Sequence, residues 1–294
     1  MVISLPDMHA VTALLQRAAA ELIVPRFQRL APEDVLEKPS VGDPGDIVTV
    51  VDREVEIALS GWLRDAWPGI PVVGEEAAHA DPRVLRQVQS DDAYWLLDPI
   101  DGTKNFAAGS DGFGLMLALV QRGRARAAWV LMPIRQELFV AEEGAGAFLN
   151  GVRLRAQPVT TLQPRGTVHH RYMPEGLPEA MRAALEPYDR ATDLRCAAVE
   201  YTDILRGRRE FGVFYRLLPW DHVAPALMLT EGGGCVLHLD GRPYTPQSVD
   251  QPTVVAASGA IAETVLERLA GLAGSGTTTH VIEESAHAQV RDRA

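Results

Sequence analysis

Residues 94–106 read YWLLDPIDGTKNF, and this stretch decides the fold. The apolar run Tyr94 to Leu97 is followed at once by Asp98 and Asp101, the pattern of a buried strand whose carboxyl end carries chemistry. Pro99 stiffens the chain as it leaves the strand, and the Ile100 carbonyl stays at the turn as a hard oxygen donor. Gly102 lets the backbone turn sharply. The amides of Gly102, Thr103 and Lys104 then open a short helix, where exposed N–H groups suit an anion. One loop thus offers carboxylates to a cation and amides to a phosphate.

Working outward, Ile70 to Val73 forms a second short apolar run that ends in Gly74-Glu75-Glu76. Upstream, a helix is expected from about Asp52 to Trp67, closed by Pro68-Gly69, and a Pro/Gly/Asp-rich loop at 37–46. Val11, Leu14, Leu15, Ala18 and Leu22 have helical spacing and predict a packed helix ending near Pro25. Downstream, Leu115 to Val120, Ala127 to Leu131 and Glu137 to Ala141 alternate with turn residues, and Asn150-Gly151 is a tight-turn dipeptide. These predict an antiparallel meander. Helices and strands alternate again beyond residue 157: helices at Met181 to Leu185, Ala197 to Arg206, His222 to Leu229 and Ile261 to Leu272, strands at Phe211 to Leu217, Cys235 to Leu239 and Thr253 to Ala257. The reading is an α/β (α+β) chain in two halves, 1–160 and 161–294, with a soft boundary near 155–165 and a peripheral tail after Gly274. The first half holds most of the candidate ligands and the second holds Asp221 and substrate contacts.

Composition sets limits on function. The 294 residues are 47% hydrophobic and 23% charged, which excludes a disordered or collagen-like chain. The net charge is −11, and 26 of the 28 basic residues are Arg with no basic stripe, so no nucleic-acid partner is expected. Bound cations are then the natural means of attracting an anionic substrate. Two cysteines, Cys196 and Cys235, do not make a disulfide framework or a zinc ribbon. With no leader-like amino terminus and no spanning apolar stretch, the chain reads as cytoplasmic, with no membrane partner.

Five acids follow apolar runs at element ends instead of lying on a solvated face: Asp52, Glu75, Asp98, Asp101 and Asp221. Singly, each reads as a cap or turn residue. Together they would stack repelling anions unless a cation is shared, and hard carboxylate oxygens without His or Cys favour Mg2+ over zinc or copper. A phosphatase with a nucleophilic Asp-x-Asp-Gly-Thr does not fit, because Pro99 stands two residues before Asp101.

The ordered blocks Asp46 to Asp52, Gly74-Glu75-Glu76, Asp98 to Phe106 and Trp220-Asp221, with the 137–154 hairpin, resemble the inositol monophosphatase family of lithium-sensitive, Mg2+-dependent phosphomonoesterases. The likeness covers about residues 8–272. It implies a layered αβαβα sandwich, a homodimer, and two or three Mg2+ held by Glu75, Asp98, the Ile100 carbonyl, Asp101 and Asp221. It further implies that Glu75, Thr103 and Asp52 activate a water, and that Asp101, Gly102, Thr103, Ala197 and Asp221 contact the substrate. The implied reaction is direct in-line hydrolysis of a small phosphorylated metabolite without a phosphoenzyme.

The chain departs from that pattern in three places. Arg195-Cys196 replaces Gly followed by Ser or Thr, and Arg195 becomes a candidate substrate contact for a second phosphate or carboxylate. Phe214 replaces an acid that contacts the inositol ring. Pro225 follows Trp220-Asp221-His222, where a first-turn position would tolerate it. Arg206, Arg208 and Arg209 read as a solvated face or dimer contact, His169-His170 as a loop pair, and Trp220 as packing for Asp221. Inositol 1-phosphate, histidinol phosphate, fructose 1,6-bisphosphate and 3'-phosphoadenosine 5'-phosphate all stay open as substrates. The alternative from another class is a non-catalytic metal- or phosphate-binding regulator.

Overall fold

Alternation along Gly114–Gln121 (β5) organises the molecule: Leu115, Leu117 and Leu119 face one side, and Met116, Ala118 and Val120 the other, all buried. A strand apolar on both faces needs a layer on each side. The computed structural model describes residues 5–40, 43–156, 163–186, 188, 190–248 and 250–272. In it β5 lies inside a seven-stranded sheet, ordered Val72–Gly74 (β3), Tyr94–Asp101 (β4), β5, Arg124–Met132 (β6), Glu137–Glu142 (β7), Gly146–Leu149 (β8) and Val152–Leu154 (β9). Only β3 and β4 run parallel; from β4 onward the strands form an antiparallel meander. The expected turn at Asn150-Gly151 joins β8 to β9, both residues at positive φ.

Met8–Ala18 (α1) and Val50–Ala66 (α2) cover one face, burying Val11, Leu15, Val51, Val55 and Leu59 against Trp95, Leu117 and Trp129. Ala197–Leu205 (α6) and Pro219–Glu231 (α7) cover the other, packed on Tyr94, Met116 and Val130. The far side of this helical pair meets a four-stranded sheet through Phe214, Val236 and Val255. That sheet is ordered Gly166–Val168 (β10), Phe211–Arg216 (β11), Asp250–Ala256 (β13) and Cys235–His238 (β12). Leu177–Ala184 (α5) and Gly259–Leu269 (α8) close its outer face around Val213 and Val254. The succession helix, sheet, helix, sheet, helix is the αβαβα sandwich anticipated from the sequence. The expected junction at 155–165 falls largely on 157–162, and the tail after Gly274 falls wholly, outside the described residues.

Several details correct the sequence reading. The amino-terminal helix passes from α1 into a π-turn at Ala19–Ile23 and a 3-10 turn at Val24–Arg26, which ends it at Pro25 as expected. The 37–46 loop is flanked by a small hairpin, Val35–Glu37 (β1) with Ile47–Thr49 (β2). α7 starts at Pro219 and not at His222, because Pro is well suited to the first helical position. Pro225 is therefore inside the helix, where it removes the N–H that would bond the Asp221 carbonyl. Arg209 is not on a solvated face: it is buried against Glu200 of α6, which needs a counter-charge there, and it also donates to Thr167 Oγ1 at 3.1 Å.

Candidate active site

β4 ends at the site. Asp98, 1% exposed, accepts the Ile100 N–H on Oδ1 at 3.0 Å, which bends the chain after Pro99 and breaks the register with β5. Gly102 follows at φ 88°, the left-handed region that glycine enters without penalty. A side chain there would meet the Gly112 carbonyl at 3.0 Å and Cys196 Cβ at 3.2 Å. Thr103 opens the short helix Thr103–Ala107 (α4). Its hydroxyl lies 3.0 Å from both Asp52 Oδ1 and the Ile100 carbonyl.

Asp52 has a double part. As third residue of α2 it closes a capping box, its Oδ2 accepting from the Thr49 N–H at 2.9 Å, while Oδ1 takes the Thr103 hydroxyl. It stands behind Thr103 and is not in the cavity wall. Burial, with the nearby Glu75 and Glu76 charges, pushes its carboxyl up to about 7 against the Thr49 hydrogen bonds.

Glu75 opens Glu75–Ala80 (α3) directly after β3. Glu56 of α2 fixes that start: its two oxygens accept the Glu76 and Ala77 amides, each at 2.8 Å. Asp221 comes from the first turn of α7. Ligating oxygens of Glu75, Asp98 and Asp221 all lie within 4.8 Å of one another. Asp101 shares their cavity, but the amino terminus of α6 holds its Oδ2, through the Ala198 N–H at 2.6 Å and the Cys196 thiol at 3.1 Å. Burial first, and then the other carboxylates, drives Asp98 and Asp221 far above the usual carboxylate range; burial also raises Asp101. The all-oxygen donor set of the cluster fits a hard cation.

The cavity, about 160 Å³, is lined by Glu75, Asp98, Ile100, Asp101, Gly102, Thr103, Arg195, Ala197 and Asp221. Of the metal-binding, catalytic and substrate-contact residues expected from the sequence, only Asp52 lies outside its wall.

The sequence reading missed other participants. Lys38, 6% exposed, reaches Glu75 at 2.8 Å and Glu76 at 2.5 Å. Burial alone would lower its pKa, but the two carboxylates raise it, so it stays an ammonium ion. Asp43 Oδ2 accepts from Lys104 and Arg171, each at 2.7 Å, tying the hairpin to both sides of the cavity. His169, read as a loop residue, lines the cavity and donates from Nδ1 to Asp193 at 3.2 Å. His222 is buried beside Tyr201, with its pKa held down at about 3 by burial, and so is neutral. Lys38, Asp43 and His169 have no local motif, and only tertiary pairing reveals them; His222 adjoins Trp220-Asp221 in sequence, and its burial beside Tyr201 fits the incidental or structural reading of that position.

With this geometry in place, comparison with known proteins is decisive. The sequence profile of the inositol monophosphatase family matches residues 6–273. The chain belongs to the inositol monophosphatase family. An inositol-1-monophosphatase of Bacillus subtilis is 27% identical over 229 residues, 76% of this chain and 84% of the relative. A fructose-1,6-bisphosphatase/inositol-1-monophosphatase of Thermotoga maritima is 31% identical, covering 67% of this chain and 73% of the relative. The solved structure of a Thermotoga maritima IMPase superposes with a TM-score of 0.74 at 27% identity, covering 89% of this chain and 95% of that one. Inositol monophosphatase family proteins are metal-dependent phosphatases of small phosphorylated substrates, and this chain is a phosphoric monoester hydrolase. Among the described residues no helix is long and apolar enough to cross a membrane.

Proposed function

We propose that this member hydrolyses a small phosphate monoester with Mg2+, two or three ions per site, held by Glu75, Asp98 and Asp221 with Asp101 and the Ile100 carbonyl. The observation that carries the reading is the approach of the Glu75, Asp98 and Asp221 oxygens within 4.8 Å, beside the Gly102–Thr103 turn. When bound, Mg2+ supplies Lewis acidity for the attacking water and the leaving alkoxide. The chain does the rest. The amides of Gly102 and Thr103, at the cap and first position of α4, seat the phosphate. Thr103, fixed by Asp52, orients the water together with Glu75. The cradle for Asp101 at Cys196 and Ala198 brings Ala197 and Arg195 to the leaving-group side.

A direct displacement leaves no phosphorylated side chain; trapping one would refute it. Inositol 1-phosphate, histidinol phosphate, fructose 1,6-bisphosphate and 3'-phosphoadenosine 5'-phosphate form the substrate panel, assayed for phosphate release with Mg2+ or with chelator. Release should require Mg2+ and fall at least about a hundredfold in Asp98→Asn and Asp221→Asn. Tight metal binding without turnover on any ester would favour the regulator instead. Lithium sensitivity and a homodimer belong to the same reading and rest on the resemblance; a cytoplasmic setting and the division at residue 160 rest on the sequence pattern.

A further inference from the structure

Arg195 sits on the rim of the active-site cavity with φ 55°, a left-handed backbone that a non-glycine residue adopts only at a cost. Its N–H donates to Asp193 Oδ1 at 2.9 Å, and the same carboxylate takes His169 Nδ1 at 3.2 Å. The His169 ring lies flat on Phe214, centroids 4.1 Å apart and planes within 9°. Phe214 is in turn held by Tyr201 and by the edge of His222. A four-residue chain, Phe214 to His169 to Asp193 to Arg195, therefore supports one strained turn. Burial works against a charged Asp193, yet the His169 hydrogen bond and the Arg195 amide bring its carboxyl down to about 2, so it stays an acceptor.

The remaining cations of the rim are differently engaged. Lys104 and Arg171 share Asp43, and Arg216 lies 3.5 Å over the Tyr172 ring. The Arg195 side chain is exposed, and its guanidinium meets no carboxylate among the described residues. Phe214 offers no acceptor for a sugar hydroxyl on this wall. Strain held in place by a dedicated support, at a cavity wall, points to function.

We propose that Arg195 is the specificity-determining residue of the site, selecting phosphate monoesters whose leaving group carries a second anion, with Asp193, His169 and Phe214 as positioning residues. The second anion is a phosphate or a carboxylate, both of which match the planar guanidinium fork. This deepens the phosphatase reading and takes its location from it.

Two matched pairs test it: adenosine 3',5'-bisphosphate against adenosine 3'-monophosphate, and 2-phosphoglycerate against glycerol 2-phosphate. The parent enzyme should prefer the doubly anionic member of at least one pair about tenfold or more in kcat/KM, and which pair responds tells phosphate from carboxylate. Arg195→Gly should erase the preference through KM while the Tm equals or exceeds that of the parent, since glycine relieves the left-handed turn. Asp193→Ala should reduce the preference in the same way, and Asp193→Asn, which retains an acceptor, should restore much of it. Equal kcat/KM within both pairs, or an Arg195→Gly enzyme with an unchanged ratio, would overturn the proposal. If no ester is turned over, the phosphatase reading fails and the same pairs are titrated calorimetrically in Mg2+. A tenfold affinity preference lost in Arg195→Gly would still support the role of Arg195; equal or unmeasurable affinities would refute it.

Discussion

Replacing Gly102 by Ala probes the turn that joins the carboxylates to the phosphate seat. The backbone there has φ 88° and ψ 37°, where a Cβ costs about 1–2 kcal/mol. The new methyl would also stand 3.0 Å from the Gly112 carbonyl and 3.2–3.3 Å from the Cys196 Cβ and Sγ atoms. The carbonyl belongs to backbone and cannot swing away, and Cys196 is committed to Asp101, so crowding adds about 1–3 kcal/mol. The total, about 2–5 kcal/mol, corresponds to a Tm lower by about 3–8 °C in a chain of this size. Relief by tilting α4 would move Thr103 off Asp52 and the amides off the phosphate, so kcat should fall about a hundredfold with a smaller change in metal affinity. Differential scanning calorimetry and a phosphate-release assay read the two effects. A variant within 1.5 °C of the parent that retains a third of its kcat would refute both the strain argument and the assignment of this turn to the phosphate.

Two further outcomes follow from the buried charges. Lys38→Met strands Glu75 and Glu76, and in chelator it should destabilise the protein by about 3–5 kcal/mol, a loss that saturating Mg2+ partly restores; thermal melts with and without the ion measure it. Glu56 has its carboxyl pushed from 4.5 up to about 7 by burial, against the Glu76 and Ala77 amides that favour its charge. A carboxyl raised on folding stabilises fully below its unfolded pKa, and that contribution disappears as pH climbs through the folded value. Between pH 4.5 and 7 the metal-free parent should therefore lose about 3 kcal/mol from this group. Urea melts of Glu56→Gln across that range should show this slope abolished, and an unchanged slope would show that Glu56 titrates normally.

What could be read in the sequence was whatever local chemistry dictates. Tyr94 to Phe106 gave strand, bend, glycine turn and helix start because each residue there has its own backbone requirement. The alternation in β5 to β7 and the Asn150-Gly151 turn likewise placed the meander. The start of α7 was misplaced because Pro219 reads as a breaker until it is seen to occupy the first helical position. Lys38, Asp43, Asp193 and His169 were out of reach for a different reason. The side chains they pair with lie 20 or more residues away, and charged side chains on short loops look alike until the fold pairs them. Arg209 shows the same limit: in sequence it belongs to a basic surface cluster, and in space it neutralises Glu200 inside the molecule.

Asp221 arrives on a helix clamped between the two sheets, whereas Glu75 and Asp98 stand at the carboxyl ends of the neighbouring strands β3 and β4 of one of them. Anything that grips all three oxygens is consequently a rivet across the 146 positions from Glu75 to Asp221, closing a circuit that the peptide backbone completes only by a long detour. Filling the site should therefore slow amide hydrogen exchange at the root of α7 and across its contacts with β5 and β6, well beyond the carboxylates themselves.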